Sequence, residues 1–259
     1  MTTWITTEDR GPIRWVTLSN PGRRNAVPLE GWAELRKAWR DFEDSEARVA
    51  VIRGADGDFC AGADLDPSRL EDPGIVAGHR RMKQVAAAAT ALHRVGKPTV
   101  AAVDGVAVGA GMNLALGCDV VVATTRARFA EIFVRRGLTP DFGGSWLLPR
   151  VVGMQRAKEL TLSGRIVEAE EARRIGLCLD VVEPDQLEDR AAEMAESFLQ
   201  GAPLAQMFAK QGLDASWELS FEEALSWEGQ SQSILFSSAD FTEGVAAFLE
   251  KRPSDFEGR

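Results

Sequence analysis

Three cysteines, Cys60, Cys118 and Cys178, and two histidines, His79 and His93, are all that the 259 residues offer a transition metal. They are widely spaced and contain no Cys-x-x-Cys, which excludes a zinc constellation or a disulfide framework; the expected metal is none. An odd cysteine count and no signal-like N-terminus give the expectation of a reduced, cytoplasmic setting. Positive charge is in deficit, with 30 Lys and Arg against 39 Asp and Glu and a net charge of −9. That argues against non-specific nucleic-acid binding, and an anionic ligand would need a local basic patch. A membrane-spanning run is missing as well. The longest apolar stretch, 99–123, is interrupted by Asp104, Asn113, Asp119 and four glycines, and suits a buried core. What remains, 45% hydrophobic and 27% charged residues, is an ordinary globular composition for one large domain or a domain with an appendage.

The chain is organised around Pro98 to Asp119, PTVAAVDGVAVGAGMNLALGCD. Thr99 to Val103 is a short β-branched run that suits a buried strand. Asp104-Gly105 breaks it, Gly109 and Gly111 follow among small residues, and Met112, Leu114, Ala115 and Leu116 suit a buried helix. Backbone approaches a ligand closely where side chains are nearly absent, and free N–H groups at a helix start bind an oxygen carrying negative charge. A tight turn with small residues for packing fits the same stretch equally well. Gly54 to Leu65, GADGDFCAGADL, repeats the strand-to-glycine-bend pattern about 50 residues earlier. Its Cys60 reads as a small buried residue. Gly109-Ala110-Gly111 is no dinucleotide fingerprint, because position 114 is Leu where a third glycine belongs.

Around these bends, strands are expected at 4–7, 13–18, 47–53, 119–123, 127–130 and 177–182. Helices are expected from Pro28 to about Asp44, at 75–95, 154–162 and 167–175, and from Trp146 onward. Pro67 to Gly74 is loop-like. Asp185 with Glu188 makes a capping-box pattern. Beyond Pro184 no strand is expected; helices follow at 203–217, 221–236 and 240–251. This tail is too thin to bury its apolar faces alone and must pack on the core or on another subunit. Arg23 and Arg24 lie in a polar loop, as phosphate contacts or as solvated charges. Asp141, enclosed by Gly137, Pro140, Gly143 and Gly144, is an acid in a turn; an aspartate there also suits a helix N-cap.

Four stretches together resemble the crotonase, or enoyl-CoA hydratase/isomerase, superfamily: AVIRGADGDFCAGADL (50–65), AAVDGVAVGAGMNLALGCD (101–119), RRGLTPDFGGSWLLPRVVG (135–153) and EGVAAFLEKRPSDF (243–256). The resemblance covers nearly the whole chain. It implies an α/β fold, a spiral core of repeated ββα units at 1–197, and a helical trimerisation region at 198–259, the trimers often pairing into hexamers. It implies an acyl-CoA thioester ligand, with coenzyme A a part of the substrate and no separate cofactor. By position, the backbone N–H groups of Ala63 and Ala110 would form an oxyanion hole. Arg24, Ala61, Asp64 and Leu65 would meet the CoA, and Phe248 and Lys251 match positions that reach the CoA of a neighbouring subunit.

Hydratases of this family carry two glutamates that handle water and the proton. Here the matching positions are Asn113 and Phe133, which cannot act as acid or base. The retained acid is Asp141. GLTPDFGGSWLLPR resembles the branch that isomerises ring-1,2-epoxyphenylacetyl-CoA and shifts enoyl-CoA double bonds. The expected activity is therefore an acyl-CoA isomerase with one carboxylate moving the proton, in an acyl pocket lined by Asn113, Phe133, Phe142 and Trp146. The alternatives are a hydratase using water held by Asn113 and Glu131, and a non-catalytic acyl-CoA binding protein. Dehalogenation by Asp141 would need His93 as partner. Glu131 otherwise reads as a surface or capping residue.

Overall fold

The computed structural model describes residues 4–65 and 74–259. Of the loop expected from Pro67 to Gly74, all but Gly74 lies outside the described residues. In chain order, β1 (Ile5–Arg10) and β2 (Ile13–Leu18) precede α1 (Gly31–Glu43), and β3 (Val49–Gly54) precedes α2 (Ile75–His93). Then come β4 (Thr99–Val103), β5 (Val106–Val108) and α3 (Ala110–Leu116). β6 (Val120–Thr124) and β7 (Arg128–Ala130) lead through a 3-10 turn at Ile132–Arg136 to α4 (Gly144–Val152) and α5 (Met154–Ser163). β8 (Val167–Glu168), α6 (Ala169–Ile175) and β9 (Asp180–Val182) finish the mixed region. Four helices follow: α7 (Leu187–Leu199), α8 (Pro203–Ala215), α9 (Phe221–Leu235) and α10 (Ala239–Glu250).

Two sheets result. The larger has the order β1-β2-β3-β4-β6-β9, antiparallel only at β1–β2. Both faces are covered at its centre, so β3 and β4 are apolar on both sides, as buried parallel strands must be, while the edge strand β1 is exposed beyond Ile5. On β3, Ala50 and Ile52 point into the main core with Trp39, Phe42, Phe59 and Met112. Val49 and Val51 point the other way, joining Trp15, Val100 and Val122 beneath Ala191 and Ala195 of α7. Each such side chain withdrawn from water contributes about 1.5–3 kcal/mol before chain entropy is counted.

The smaller sheet runs β5-β7-β8 and continues through isolated parallel bridges, Cys60 with Ala107 and Val27 with Ala63. Strand, bend, short second strand and helix thus recur: β2 with Val27 and α1, β3 with Cys60 and α2, β4 with β5 and α3. This is the repeated ββα spiral, and it brings the bends of successive repeats side by side.

Several local expectations shift. α1 starts at Gly31, because Val27 is held in a bridge and Pro28 still belongs to the approach. Val167 leaves the helix expected at 167–175 to pair with Phe129 as β8, where it is buried. Leu177 and Cys178 are buried ahead of β9 rather than part of it. The capping box at Asp185 and Glu188 does not form. Pro184–Gln186 is a 3-10 turn, and Glu188 instead bridges Arg10 and Arg53. The capping box that does form joins Ser220 and Glu223 at the start of α9. α8 is tied to the core where Lys210 meets Asp119 at 2.8 Å. Among the described residues no helix is long and apolar enough to cross a membrane.

Candidate active site

Cys60 and Ala107 face each other across a parallel bridge, and Ala63 and Ala110 each lie three residues further on. They are equivalent positions in consecutive repeats. At 63, Val27 donates to the Gly62 carbonyl at 2.7 Å and accepts from the Asp64 N–H at 2.9 Å. A parallel bridge uses those flanking groups, so the N–H of Ala63 itself points away from Val27. At 110, Gly109 adopts φ +57 and ψ −127, a conformation essentially restricted to glycine, and swings the chain into the first residue of α3. The N–H of a first helical residue has no partner within the helix. Among the described residues neither N–H has a backbone acceptor outside the regular elements.

The bends touch. A methyl on Gly62 would stand 2.8 Å from the Val108 carbonyl and 3.5 Å from the Ala110 nitrogen. The Asp58 carboxylate accepts from the Val106 N–H at 2.9 Å, and the buried Asn25 amide donates to the carbonyls of Ala55 and Asp58 at 2.8 and 2.7 Å. Backbone held this way presents donors that need no reorganisation when charge develops in front of them.

A cleft of about 530 Å³ opens beside the bends. Arg24, Ala61, Ala63, Asp64 and Leu65 form one wall. Ala110, Phe133, Leu138 and Asp141 form the other, and Arg23 and Arg136 stand at it too, a basic mouth on an acidic protein. Arg23 pairs with Asp64 at 3.1 Å. The Phe133 ring lies 3.5 Å from where a methyl on Gly109 would be, over the second bend.

Asp141 owes its place to an unusual turn. Phe142 takes a left-handed φ of +48 with its ring buried 5.8 Å from that of Trp32, and Gly143 follows at φ +85. Gly143, not Asp141, caps α4, so the N-cap expectation for Asp141 is corrected: its side chain is released from capping. Its main-chain carbonyl accepts from the Gly144 N–H at 2.9 Å and from Asn113 Nδ2 at 3.0 Å. Its Oδ1 has no hydrogen-bond partner among the described residues, and burial lifts the carboxyl to about 6. A carboxyl so lifted is a competent base near neutral pH.

Sequence reasoning misplaced Glu131. It is 1% exposed, neither a surface residue nor a side-chain cap, and burial pushes its carboxyl up to about 8. The signal was alternation: Glu131 continues the side of the chain that buries Phe129. Of the four residues expected around the acyl chain, only Phe133 stands in the cleft wall. Asn113 is fully buried behind Asp141, Phe142 faces Trp32, and Trp146 packs against His93 and beneath the Arg150 guanidinium. His93 is likewise outside that wall, and burial raises the Cys60 thiol to about 12, which leaves it inert at neutral pH. Phe248 and Lys251 are far out on α10 and its C-terminal cap; within one chain they line no part of the cleft.

The scaffold is a parallel ββα spiral whose consecutive bends meet at a cleft with a lifted carboxyl in its wall. The comparisons give that scaffold its family. The enoyl-CoA hydratase/isomerase family model matches residues 8–259, and the chain belongs to this family. It is 34% identical to the short-chain-enoyl-CoA hydratase of Clostridium acetobutylicum, over 95% of this chain and 94% of that one. It is 35% identical to the 1,2-epoxyphenylacetyl-CoA isomerase of Escherichia coli, over 95% of each. The crystal structure of an enoyl-CoA hydratase from Bacillus anthracis superposes with a TM-score of 0.94 at 28% identity, covering 99% of this chain and 100% of that one.

Proposed function

We propose that the protein is an acyl-CoA isomerase. The thioester carbonyl sits between the N–H groups of Ala63 and Ala110, and Asp141 removes a proton from one carbon of the acyl chain and returns it at another. Removing that proton makes an enolate whose oxygen gathers the charge, and each preorganised donor facing it is worth roughly 3 to 4 kcal/mol. The basic mouth formed by Arg23, Arg24 and Arg136 suits the phosphates of coenzyme A. Two carboxyls line the cleft, and the observation that carries this reading is the difference between them: Asp64 is paired with Arg23, whereas Asp141 keeps a buried oxygen with no hydrogen-bond partner among the described residues. A hydratase reading draws support from Glu131, a second lifted acid close enough to Asp141 to feel its charge. Glu131 is sealed from the cleft, however, which leaves water without a second base at the surface it would attack from.

Proton NMR of enoyl-CoA thioesters in heavy water separates these readings. The isomerase incorporates deuterium and shifts the double bond; accumulation of a 3-hydroxyacyl-CoA instead would replace it with the hydratase, and binding with no exchange would leave a binding protein. Because Asp141 acts as carboxylate, kcat/KM is expected to rise about tenfold per pH unit below its value of about 6 and to flatten just above it.

The same proposal includes a homo-oligomer, a trimer or a pair of trimers. Phe221, Phe236, Phe248 and Leu249 on the last two helices and at the end of α9 are 61–82% exposed, more apolar surface than a monomer keeps. Light scattering is expected to give a mass three or six times that of the 28.2 kDa chain. Phe248→Glu is expected to lower it; a monomeric wild type would rule the assembly out.

A further inference from the structure

Four polar atoms of three adjoining residues lack a hydrogen-bond partner among the described residues: both carboxyl oxygens of Glu131, Oδ1 of Asn113 and Oδ1 of Asp141. A buried carboxylate with no partner is costly, and no Lys, Arg or His among the described residues pairs with Glu131. The groups that act on it are the Asn113 amide, from α3, and the Asp141 carboxylate, from the turn before α4. Asn113 Nδ2 is already engaged, donating to the Asp141 carbonyl at 3.0 Å. Its surroundings are tight: a methyl on Gly144 would stand 2.3 Å from that nitrogen, so the amide has little room to serve two acceptors.

We propose that Glu131 is a positioning residue that acts on Asp141 through Asn113: while neutral it leaves the Asn113 amide on the Asp141 main chain, and on ionising it takes that amide for itself. A carboxylate is a stronger acceptor than a carbonyl, so the competition turns on the Glu131 proton. Once Nδ2 moves, the turn at Pro140 to Gly143 loses a tether, and a second negative charge stands beside Asp141 in a poorly screened interior. Both changes work against the reaction, one by displacing the base and the other by opposing the enolate. The proposal presupposes Asp141 as the proton shuttle. It adds that an acid outside the cleft decides where that shuttle stands.

The pH profile of kcat/KM for double-bond migration tests it. Wild type is expected to lose activity above about pH 8, where Glu131 ionises. Glu131→Gln, neutral at every pH, is expected to abolish that alkaline fall and keep the acid limb. Glu131→Ala, which has no acceptor to draw the Asn113 amide away, is expected to lose the alkaline fall as well. An alkaline limb that persists in Glu131→Gln overturns the proposal. So does an alkaline limb that persists in Glu131→Ala. Infrared spectroscopy of the wild type gives a readout that does not depend on Asp141 catalysing anything: a protonated-carboxyl band present at pH 7, lost by pH 9 and missing from Glu131→Gln. Absence of that band at pH 7 overturns the proposal while leaving the isomerase reading intact; an active Asp141→Asn overturns the isomerase reading while leaving the band.

Discussion

Asp141→Asn is expected to lower kcat for double-bond migration by about 10³-fold, within the range that a positioned acid–base group supplies. KM should change little, because the residue is asked to act in the transition state rather than in binding. The substitution isolates chemistry unusually well. The main-chain carbonyl of residue 141, which receives Asn113 Nδ2 and the Gly144 N–H, is untouched, and the lost oxygen had no hydrogen bond to give up. Stability should move the other way. Burial raises the folded carboxyl from 3.8 to about 6, so ionising it costs the folded state. That cost is absent below about pH 4, grows between about pH 4 and 6, and above that is on the order of 2–3 kcal/mol as an upper bound. Asparagine escapes it. Thermal melting at pH 7 is therefore expected to show the variant at or above wild type. A variant that turns over at the wild-type rate would remove Asp141 from the mechanism; one that melts far lower would show the carboxylate to be structural.

The second large effect belongs to Gly111. Its backbone is ordinary helix, so an alanine meets no conformational strain, yet the added methyl would stand 2.1 Å from the Cys60 carbonyl oxygen and 2.8 Å from its carbon. Neither can retreat easily, since Cys60 donates to Val106 and accepts from Val108 across the bridge that joins the two bends. Gly111→Ala is expected to cost about 3 kcal/mol or more, at the upper end of overpacking, and to abolish activity by parting the two amides. Gly229→Ala makes the matched control. It too is helical, but nothing lies within 4 Å of the new methyl, and it is expected to stabilise by about 0.5–1 kcal/mol. Denaturant melts of both variants decide the matter. A Gly111→Ala protein as stable as wild type would mean that α3 can slide away from Cys60 and that the bends are not fixed against each other.

The elements that periodicity reveals were legible in the sequence. β3 and β4 are continuous apolar runs, and α1 carries Trp32, Leu35, Trp39 and Phe42 on one buried side. The pairing of two glycine bends was legible too, because small residues after a strand recur at 54–65 and 104–111. β5 and β8 were not, being three and two residues long, too short for alternation to register. Asp141 stood out as a lone acid among glycines, while its neighbours misled. Phe142 and Trp146 are close to it in the chain, but a left-handed φ at 142 turns that ring to Trp32, and helix geometry sends Trp146 to His93. Glu131 failed for a general reason: a buried carboxyl without a cation contradicts the ordinary rule for charged residues, so composition argued for the surface. The capping box at Asp185 lost Glu188 to Arg10 and Arg53, partners 178 and 135 residues away that no local pattern announces.

Because Cys60 and Ala107 share a rung of neighbouring repeats, the ladder spacing of the spiral, about 4.8 Å between adjacent chains, sets where the two bends that follow them lie. Main chain sets that gauge, so a substitution disturbs it by adding bulk between the bends, as at Gly111, rather than by changing a side chain elsewhere in the cleft. The opposite wall, with Phe133, Leu138 and Asp141, belongs to a separate turn and a 3-10 segment. Selection for a new acyl group can rewrite that wall while the amide pair keeps its calibration, and the glycines at 109 and 111 should be the last positions to drift.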